Sequence, residues 1–502
     1  MRNRSMKQLG ALLRSQKRGL GHPHLALILM VAAALAAPTA LTAQQSKPWE
    51  QISIPKLHEF KPQQPKRIEL KNGIVLFLQE DHELPFVSGH ILIPGGSRDE
   101  DAAKIGLVDL YAQTWRTSGT AKMNGDALDD LLEAKAASIE TGDGIGTTDL
   151  SWESLKGDAD QVFALAVDLL LHPKFSAEKL QLAQQQVATG IVRRNDDEGE
   201  IAQREAAKLV YGATSPYARE PELATIGAVT VDDLQAWHAR TLGGKLIVAV
   251  SGDFDTAAME AKLRAAFDPL PPVKPAMARQ EVFSGPRPGV FFVDKEDVNQ
   301  SDIQIVGLGT DRRNPDVPAL AVMNEILGGG FASRLFQKVR TELGLAYAVG
   351  GGLGFDYDHP ATFQVSVKTK SASTVDATKA ALAEISGLTS RPFSQEELER
   401  AKETILSSFL FRYDTKEKVL HAREWLEFYG YPADYLENYK AGLEKVTVAD
   451  LNNAARKYIH AEKLAVLVVG NGPEIKPSLD ELKLGAVQTL DVTIPMPKEA
   501  QK

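Results

Sequence analysis

The feature that most constrains the fold is an internal repeat. Phe175-Ser176-Ala177-Glu178-Lys179-Leu180 matches Phe393-Ser394-Gln395-Glu396-Glu397-Leu398 at an offset of 218 residues. Thr230-Val231-Asp232-Asp233-Leu234 matches Thr447-Val448-Ala449-Asp450-Leu451 at 217, and the apolar run Lys245–Gly252 matches Lys463–Gly470 at 218. Ser or Thr followed by an acidic residue commonly starts a helix, and apolar strands resemble one another, so any single match is weak. Three matches in one order and nearly one register point to a duplicated domain. Between the copies, Asp268-Pro-Leu-Pro-Pro-Val-Lys-Pro275 favours a stiff, extended connector, which places a linker at 268–285.

Hydrophobic patterning gives each copy both kinds of element. Strands are expected at 74–78, 87–93, 246–250, 290–293, 303–308 and 363–367. Helices are expected at 103–117, 125–137, 159–170, 177–195, 231–241, 317–327, 333–343, 373–387 and 394–411. The fold class is therefore α+β: two duplicated domains at 65–267 and 286–475, each a mainly antiparallel sheet with one face buried under helices, and a tail at 476–502.

Ahead of the repeat, Arg2, Arg4, Lys7, Arg14, Lys17 and Arg18 precede the apolar run Leu25–Ala37, and residues 1–49 hold no acidic side chain. This is the layout of a secretory signal, with a small-residue stretch at Ala36–Ala43 and cleavage expected after Ala43. Leu41 stands where a small residue is preferred, so a retained anchor is the alternative. The mature chain is expected to be exported, to a periplasm or beyond the cell, with no stable membrane span. Loss of the leader's six basic residues takes the formal net charge from −9 to −15, which argues against nucleic-acid binding. With no cysteine anywhere, disulfides and thiolate metal sites are excluded.

Two stretches carry a family resemblance. Gly328-Gly-Gly-Phe-Ala-Ser-Arg-Leu-Phe-Gln337 with Val339-Arg340-Thr-Glu-Leu-Gly-Leu-Ala-Tyr347 resembles the second domain of the pitrilysin/insulinase-type zinc peptidases. In the first half Gly95-Gly-Ser-Arg-Asp-Glu100, Gly106-Leu107, Gly119-Thr120 and Ser215-Pro-Tyr-Ala-Arg219 follow in the order that family uses, so the resemblance spans about residues 65 to 475. Active members carry His-x-x-Glu-His on the helix that starts near Gly106-Leu107, because residues four apart present both imidazoles to one zinc while the Glu acts as base. Here those positions are Asp109, Ala112 and Gln113, and the downstream stretch that should supply a Glu ligand reads Val187-Ala-Thr-Gly-Ile191. A zinc that activates water needs three protein ligands, so the resemblance implies a degenerate site with no metal in this chain.

Arg340 and Tyr347 match the Arg and Tyr that the family's second domain directs toward the zinc. A tyrosine hydroxyl can donate to the oxyanion of a tetrahedral intermediate, and a guanidinium can hold substrate carbonyls. The resemblance implies a heterodimer in which a homologous subunit binds zinc while this chain helps bind peptide and stabilise the transition state. A scaffold or peptide-binding subunit without catalysis is the second reading, and a self-sufficient peptidase with an unorthodox metal site the third. The plain alternatives are a salt bridge for Arg340 and a core aromatic for Tyr347. Asp109, Tyr111, Gln113 and Trp115 read as ordinary helix packing, Gly328–Gly330 as a turn needing unusual backbone angles, and Asp196-Asp-Glu-Gly-Glu200 as a solvated run. Gly142–Gly146 lacks the strand-to-helix setting of a dinucleotide loop.

Overall fold

The computed structural model describes residues 61–274 and 281–496, so the segment read as a signal peptide and the middle of the linker lie outside the described residues. The first half opens with β1 (Lys66–Glu69), β2 (Val75–Glu80) and β3 (Phe86–Pro94), followed by α1 (Leu107–Ser118) and α2 (Gly125–Ala134). A hairpin of β4 (Ser138–Asp143) and β5 (Thr147–Leu155) leads to α3 (Ala159–Leu171), α4 (Ala177–Arg193), α5 (Glu198–Tyr211), α6 (Leu223–Gly227) and α7 (Val231–Thr241). The half ends with β6 (Ile247–Gly252) and α8 (Thr256–Phe267).

The second half runs β7 (Gly289–Asp294), β8 (Gln300–Leu308), the short β9 (Thr310–Asp311), α9 (Val317–Gly328) and a π-helical segment, Phe336–Glu342. Then come β10 (Ala348–Leu353), the short β11 (Phe355–Asp356), β12 (Thr362–Lys370), α10 (Thr374–Ser390) and α11 (Gln395–Arg412). The chain finishes with α12 (Lys416–Phe428), α13 (Tyr435–Lys445), α14 (Val448–Tyr458), β13 (Ala465–Gly470) and β14 (Val487–Thr489).

The strands form two six-stranded sheets, β1-β2-β6-β3-β5-β4 and β14-β7-β13-β8-β12-β10, joined mainly antiparallel. Taken in that order, β2, β6, β3, β5 and β4 have counterparts in β7, β13, β8, β12 and β10, and the neighbour directions agree: β2 with β6 and β7 with β13 are the parallel pairs at the same place. Only the last strand differs, β1 being antiparallel to β2 and β14 parallel to β7. The repeated sequence signals are helix caps at equivalent places. Thr230 and Thr447 each accept from the backbone N–H three residues on, and Asp233 and Asp450 each accept from the cap's own N–H, at 2.8 and 2.9 Å. Such a box satisfies two helix-end donors that would otherwise lack partners.

Alternation along the central strands sends their side chains to two different cores. Leu76, Leu78, Val248 and Val250 join the core beneath α1, α3 and α4, while Val75, Phe77, Ile247 and Ala249 face the other way, onto Leu420 of α12. In the second sheet Val466 and Val468 face their own helices, whereas Phe291, Val293, Leu467 and Val469 pack on Ile201, Ala202, Ala206 and Val210 of α5. Each sheet was expected to have one covered face; instead each has two, because one helix from each half lies across the other half's sheet. That is why these strands read as unbroken apolar runs.

Residues 476–496, read as part of a tail, are built into the fold. β14 extends the second sheet, Asn195 donates to the Val492 carbonyl at 2.7 Å, and Ile494 packs on the first core.

Candidate functional site

The site begins at the N-terminus of α1. Glu100 is buried and accepts hydrogen bonds from the N–H groups of Gly106 at 3.2 Å and Val108 at 2.8 Å, a carboxylate at the positive end of a helix. Arg219 donates to the carbonyls of Ser97 and Glu100 at 3.0 and 2.8 Å. The separate stretches Gly95–Glu100, Gly106-Leu107 and Ser215–Arg219 thus converge on one task, fixing where α1 starts. Gly106 has φ of 97°, and a Cβ there would meet the Ile226 side chain at 2.8 Å, so only glycine fits.

The residues of α1 do not suit zinc. Gln113 donates its amide N–H to Asp109 Oδ1 at 2.6 Å, tying up the one carboxylate of the motif, and the Ala112 methyl offers no base. The downstream Ile191 is buried in the core. The other face of α1 is packing: Tyr111 and Trp115 are fully buried and stacked with centroids 5.2 Å apart, Trp115 donates to the Leu169 carbonyl, and the Tyr111 hydroxyl lies 2.8 Å from His238 Nδ1. Burial drives the His238 pKa down to about 4.

Beside Asp109, at the hairpin that holds Gly142–Gly146, desolvation pushes the Asp143 carboxyl up to about 6, and the like charges of Asp109 and Asp149 add to the shift. Asp149 in turn lies 3.6 Å from His90 Nε2. Burial works against a charge on His90, yet Asp149 and Glu424 outweigh it and hold the imidazole pKa up at about 9. His90, Glu424 and His421 were not singled out in the sequence; a His-x-x-Glu spacing on one helix was legible, but its third member lies 331 residues away.

Arg340 and Tyr347 are brought together. The Arg340 guanidinium lies 5.8 Å from the Tyr347 ring centroid and 4.8 Å from that of Phe336, within reach of cation–π attraction. Tyr347 is 73% exposed, and among the described residues neither side chain has a hydrogen bond or an ion pair with a carboxylate. The salt-bridge and core-aromatic alternatives therefore describe neither residue. Phe331, 76% exposed, packs edge-on against Phe336 and extends the patch. The helix expected at 333–343 is π-helical, Leu343 N–H reaching Lys338 O five residues back, and this register keeps Leu335 and Val339 buried while Arg340 faces out.

Gly328–Gly330 has no positive φ, so unusual backbone angles are not its reason. A Cβ on Gly328 would stand 2.5 Å from the Gly351 carbonyl oxygen, and the glycines let α9 lie against β10. In the acidic run, Asp197 caps α5 through Gly199 and Glu200, and Glu198 pairs with Lys368 at 3.2 Å.

Residues 228–405 match the family described as "Peptidase M16 inactive domain". The curated relatives include the "Non-peptidase homolog YmxG" of Helicobacter pylori, 25% identical over 79% of this chain and 92% of its own length. An uncharacterized zinc protease of Mycobacterium tuberculosis H37Rv is 26% identical over 58% of this chain and 67% of its own. Among solved structures, a peptidase M16 inactive domain from Pseudomonas fluorescens superposes with a TM-score of 0.73 at 24% identity, covering 81% of this chain and 98% of that one. A protease from Helicobacter pylori does so at 0.70 and 16%, covering 82% and 100%. Fold and comparisons together give the class: the two-domain fold seen in M16, pitrilysin/insulinase-type, peptidases, with residues 228–405 matching that family's inactive domain. The chain is similar to relatives described as inactive or non-peptidase, and the inactive-domain match runs from α7 of the first half into α11 of the second.

Proposed function

We propose that this chain is the non-zinc subunit of an exported peptidase, one that presents Arg340 and Tyr347 to a homologous, zinc-bearing partner. The observation that carries the reading is the state of the pair: two polar side chains adjacent, exposed and, among the described residues, without a hydrogen-bonding partner of their own. Their contact inside this chain is the exposed cation–π approach of Arg340 to Phe336 and Tyr347, which leaves the guanidinium N–H groups and the hydroxyl open to a substrate. With the partner docked, the Tyr347 hydroxyl would donate to the oxyanion of the tetrahedral intermediate and Arg340 would hold a substrate carbonyl or the developing charge. The hydroxide must come from the partner, since Asp109 is held by Gln113 and Ala112 has no proton to move.

An extended peptide is the substrate class that the family's architecture implies, and the exposed Phe331 gives such a peptide an apolar contact. Export rests on the basic leader and its apolar run, and among the described residues no helix is long and apolar enough to cross a membrane. Co-expression with a zinc-bearing homologue tests the proposal. Tyr347→Phe should lower kcat for a peptide by roughly 100-fold, as loss of one oxyanion donor does, while the two chains still co-purify. Unchanged turnover in both Tyr347→Phe and Arg340→Ala would leave the scaffold reading.

A further inference from the structure

A second cluster of metal-capable side chains lies away from α1, where the two halves meet. His90 on β3, and His421 and Glu424 on α12, have ligand atoms that all fall within 4.8 Å of one another. His90 points from the face of the first sheet that α12 covers, the face shared by Leu92, Ile247 and Ala249. His421 and Glu424 are three residues apart and so share one side of α12. The cluster exists only because a helix of the second half lies on the sheet of the first.

The arrangement has the features of a divalent-metal site. Both histidines turn Nδ1 to the same carboxylate: His90 Nδ1 lies 2.8 and 2.9 Å from the two Glu424 oxygens, and His421 Nδ1 lies 3.3 Å from Oε2. In a tetrahedral zinc site with bonds of about 2.0–2.1 Å, neighbouring ligand atoms are ~3.3 Å apart, so small side-chain shifts would seat an ion. The outer nitrogens also face carboxylates, His90 Nε2 toward Asp149 at 3.6 Å and His421 Nε2 toward Glu417 at 3.8 Å. At these separations the contacts are ion pairs rather than hydrogen bonds; a small closure on metal binding would give each ring the outer-shell carboxylate that ligating histidines characteristically have.

Glu424 is the most demanding member. Its side chain is completely buried, and among the described residues its partners are the two imidazoles, with no lysine, arginine or backbone N–H. A buried carboxylate needs a cation or several donors. Asp149, with Asp143 and Asp109 beyond it, adds negative charge on the same side.

We propose that His90, His421 and Glu424 bind a divalent ion of the zinc class, which clamps α12 of the second half onto the first sheet. Three protein ligands leave one position for water. The role is structural: the ion would tie together segments 331 residues apart. This site is independent of Arg340 and Tyr347, and its test uses no peptidase activity.

The test is a titration of the untagged, chelator-stripped full chain with Co2+ as a spectroscopic probe, followed by Zn2+ competition and metal analysis after dialysis. The expected result is one tightly held equivalent with the visible absorption of tetrahedral Co2+, displaced by Zn2+, and a thermal midpoint that rises with metal. Asp149→Asn should weaken binding roughly 10- to 100-fold, as loss of an outer-shell partner does, and His421→Ala by more. His421 is partly exposed, so its replacement should leave the fold intact. His82→Ala, which removes a surface histidine between Glu80 and Asp253, should leave binding unchanged. No retained metal in the wild-type chain would overturn the proposal and leave an imidazolium–carboxylate ion pair. Equal retention in His421→Ala would overturn it as well, by placing the metal elsewhere.

Discussion

The reciprocal exchange of helices can be tested at Leu420. This side chain is 2% exposed and, among the described residues, is the fully enclosed member from α12 in a core otherwise made by Val75, Phe77, Leu92, Ile247 and Ala249 of the first sheet, with Trp425 and Phe428 of the same helix packed partly buried against it. Leu420→Ala removes three carbons, about 2.4 kcal/mol of transfer free energy at ~0.8 kcal/mol per methylene. The surrounding side chains stand on hydrogen-bonded strands that cannot collapse into the gap, so a cavity term adds to this and the total should be about 3 kcal/mol. Urea denaturation followed by circular dichroism gives the loss, and hydrogen exchange shows where it falls: the α12 amides should open more readily while those of α9 should not. Leu182→Ala, at a site 47% exposed, is the control and should cost less than about 0.5 kcal/mol. A loss below about 1 kcal/mol at Leu420, or an unchanged exchange rate in α12, would refute the claim that this helix is held by the opposite half's sheet.

Other consequences follow from the same geometry. Arg340→Ala and Tyr347→Phe should each change stability by less than about 0.5 kcal/mol in a thermal melt, since both side chains are exposed. Gly328→Ala should destabilise by about 1–3 kcal/mol in urea, because the added methyl meets the Gly351 backbone rather than a side chain that can turn aside. His238 has a pKa of about 4 when folded against 6.5 when unfolded, so below pH 6.5 the unfolded chain takes up a proton that the folded one refuses. Its contribution is present above pH 6.5 and is lost as pH falls toward 4, about 3 kcal/mol in all, and His238→Gln should remove that part of the acid sensitivity in paired pH titrations of stability. Glu397 is held at about 2: burial would raise it, but Arg334 in a two-point contact at 2.7 and 2.9 Å and the Ser394 cap lower it further. Its contribution, present above pH 4.5, should disappear as pH falls toward 2, and Glu397→Gln should flatten stability over that window.

The two-part plan and the fold class are legible in the amino-acid sequence, because both are written in short-range patterns that recur in each half: caps three residues long and apolar alternation. The helices predicted at 159–170, 231–241 and 317–327 fall within a residue of α3, α7 and α9 for the same reason, strong periodicity, joined at α7 by a capping box. The elements it did not reveal have physical reasons too. The β4–β5 hairpin is polar and glycine-rich, β10 carries three successive glycines, and α5 and α12 pack on a sheet from the other half rather than on their own core. Which helix covers which sheet, the hold of Gln113 on Asp109, the need for a small residue at 328 beside Gly351, and the meeting of His90 with His421 and Glu424 appear only in the folded chain. These depend on contacts between segments tens to hundreds of residues apart, and a local pattern constrains what a segment becomes without fixing what it touches.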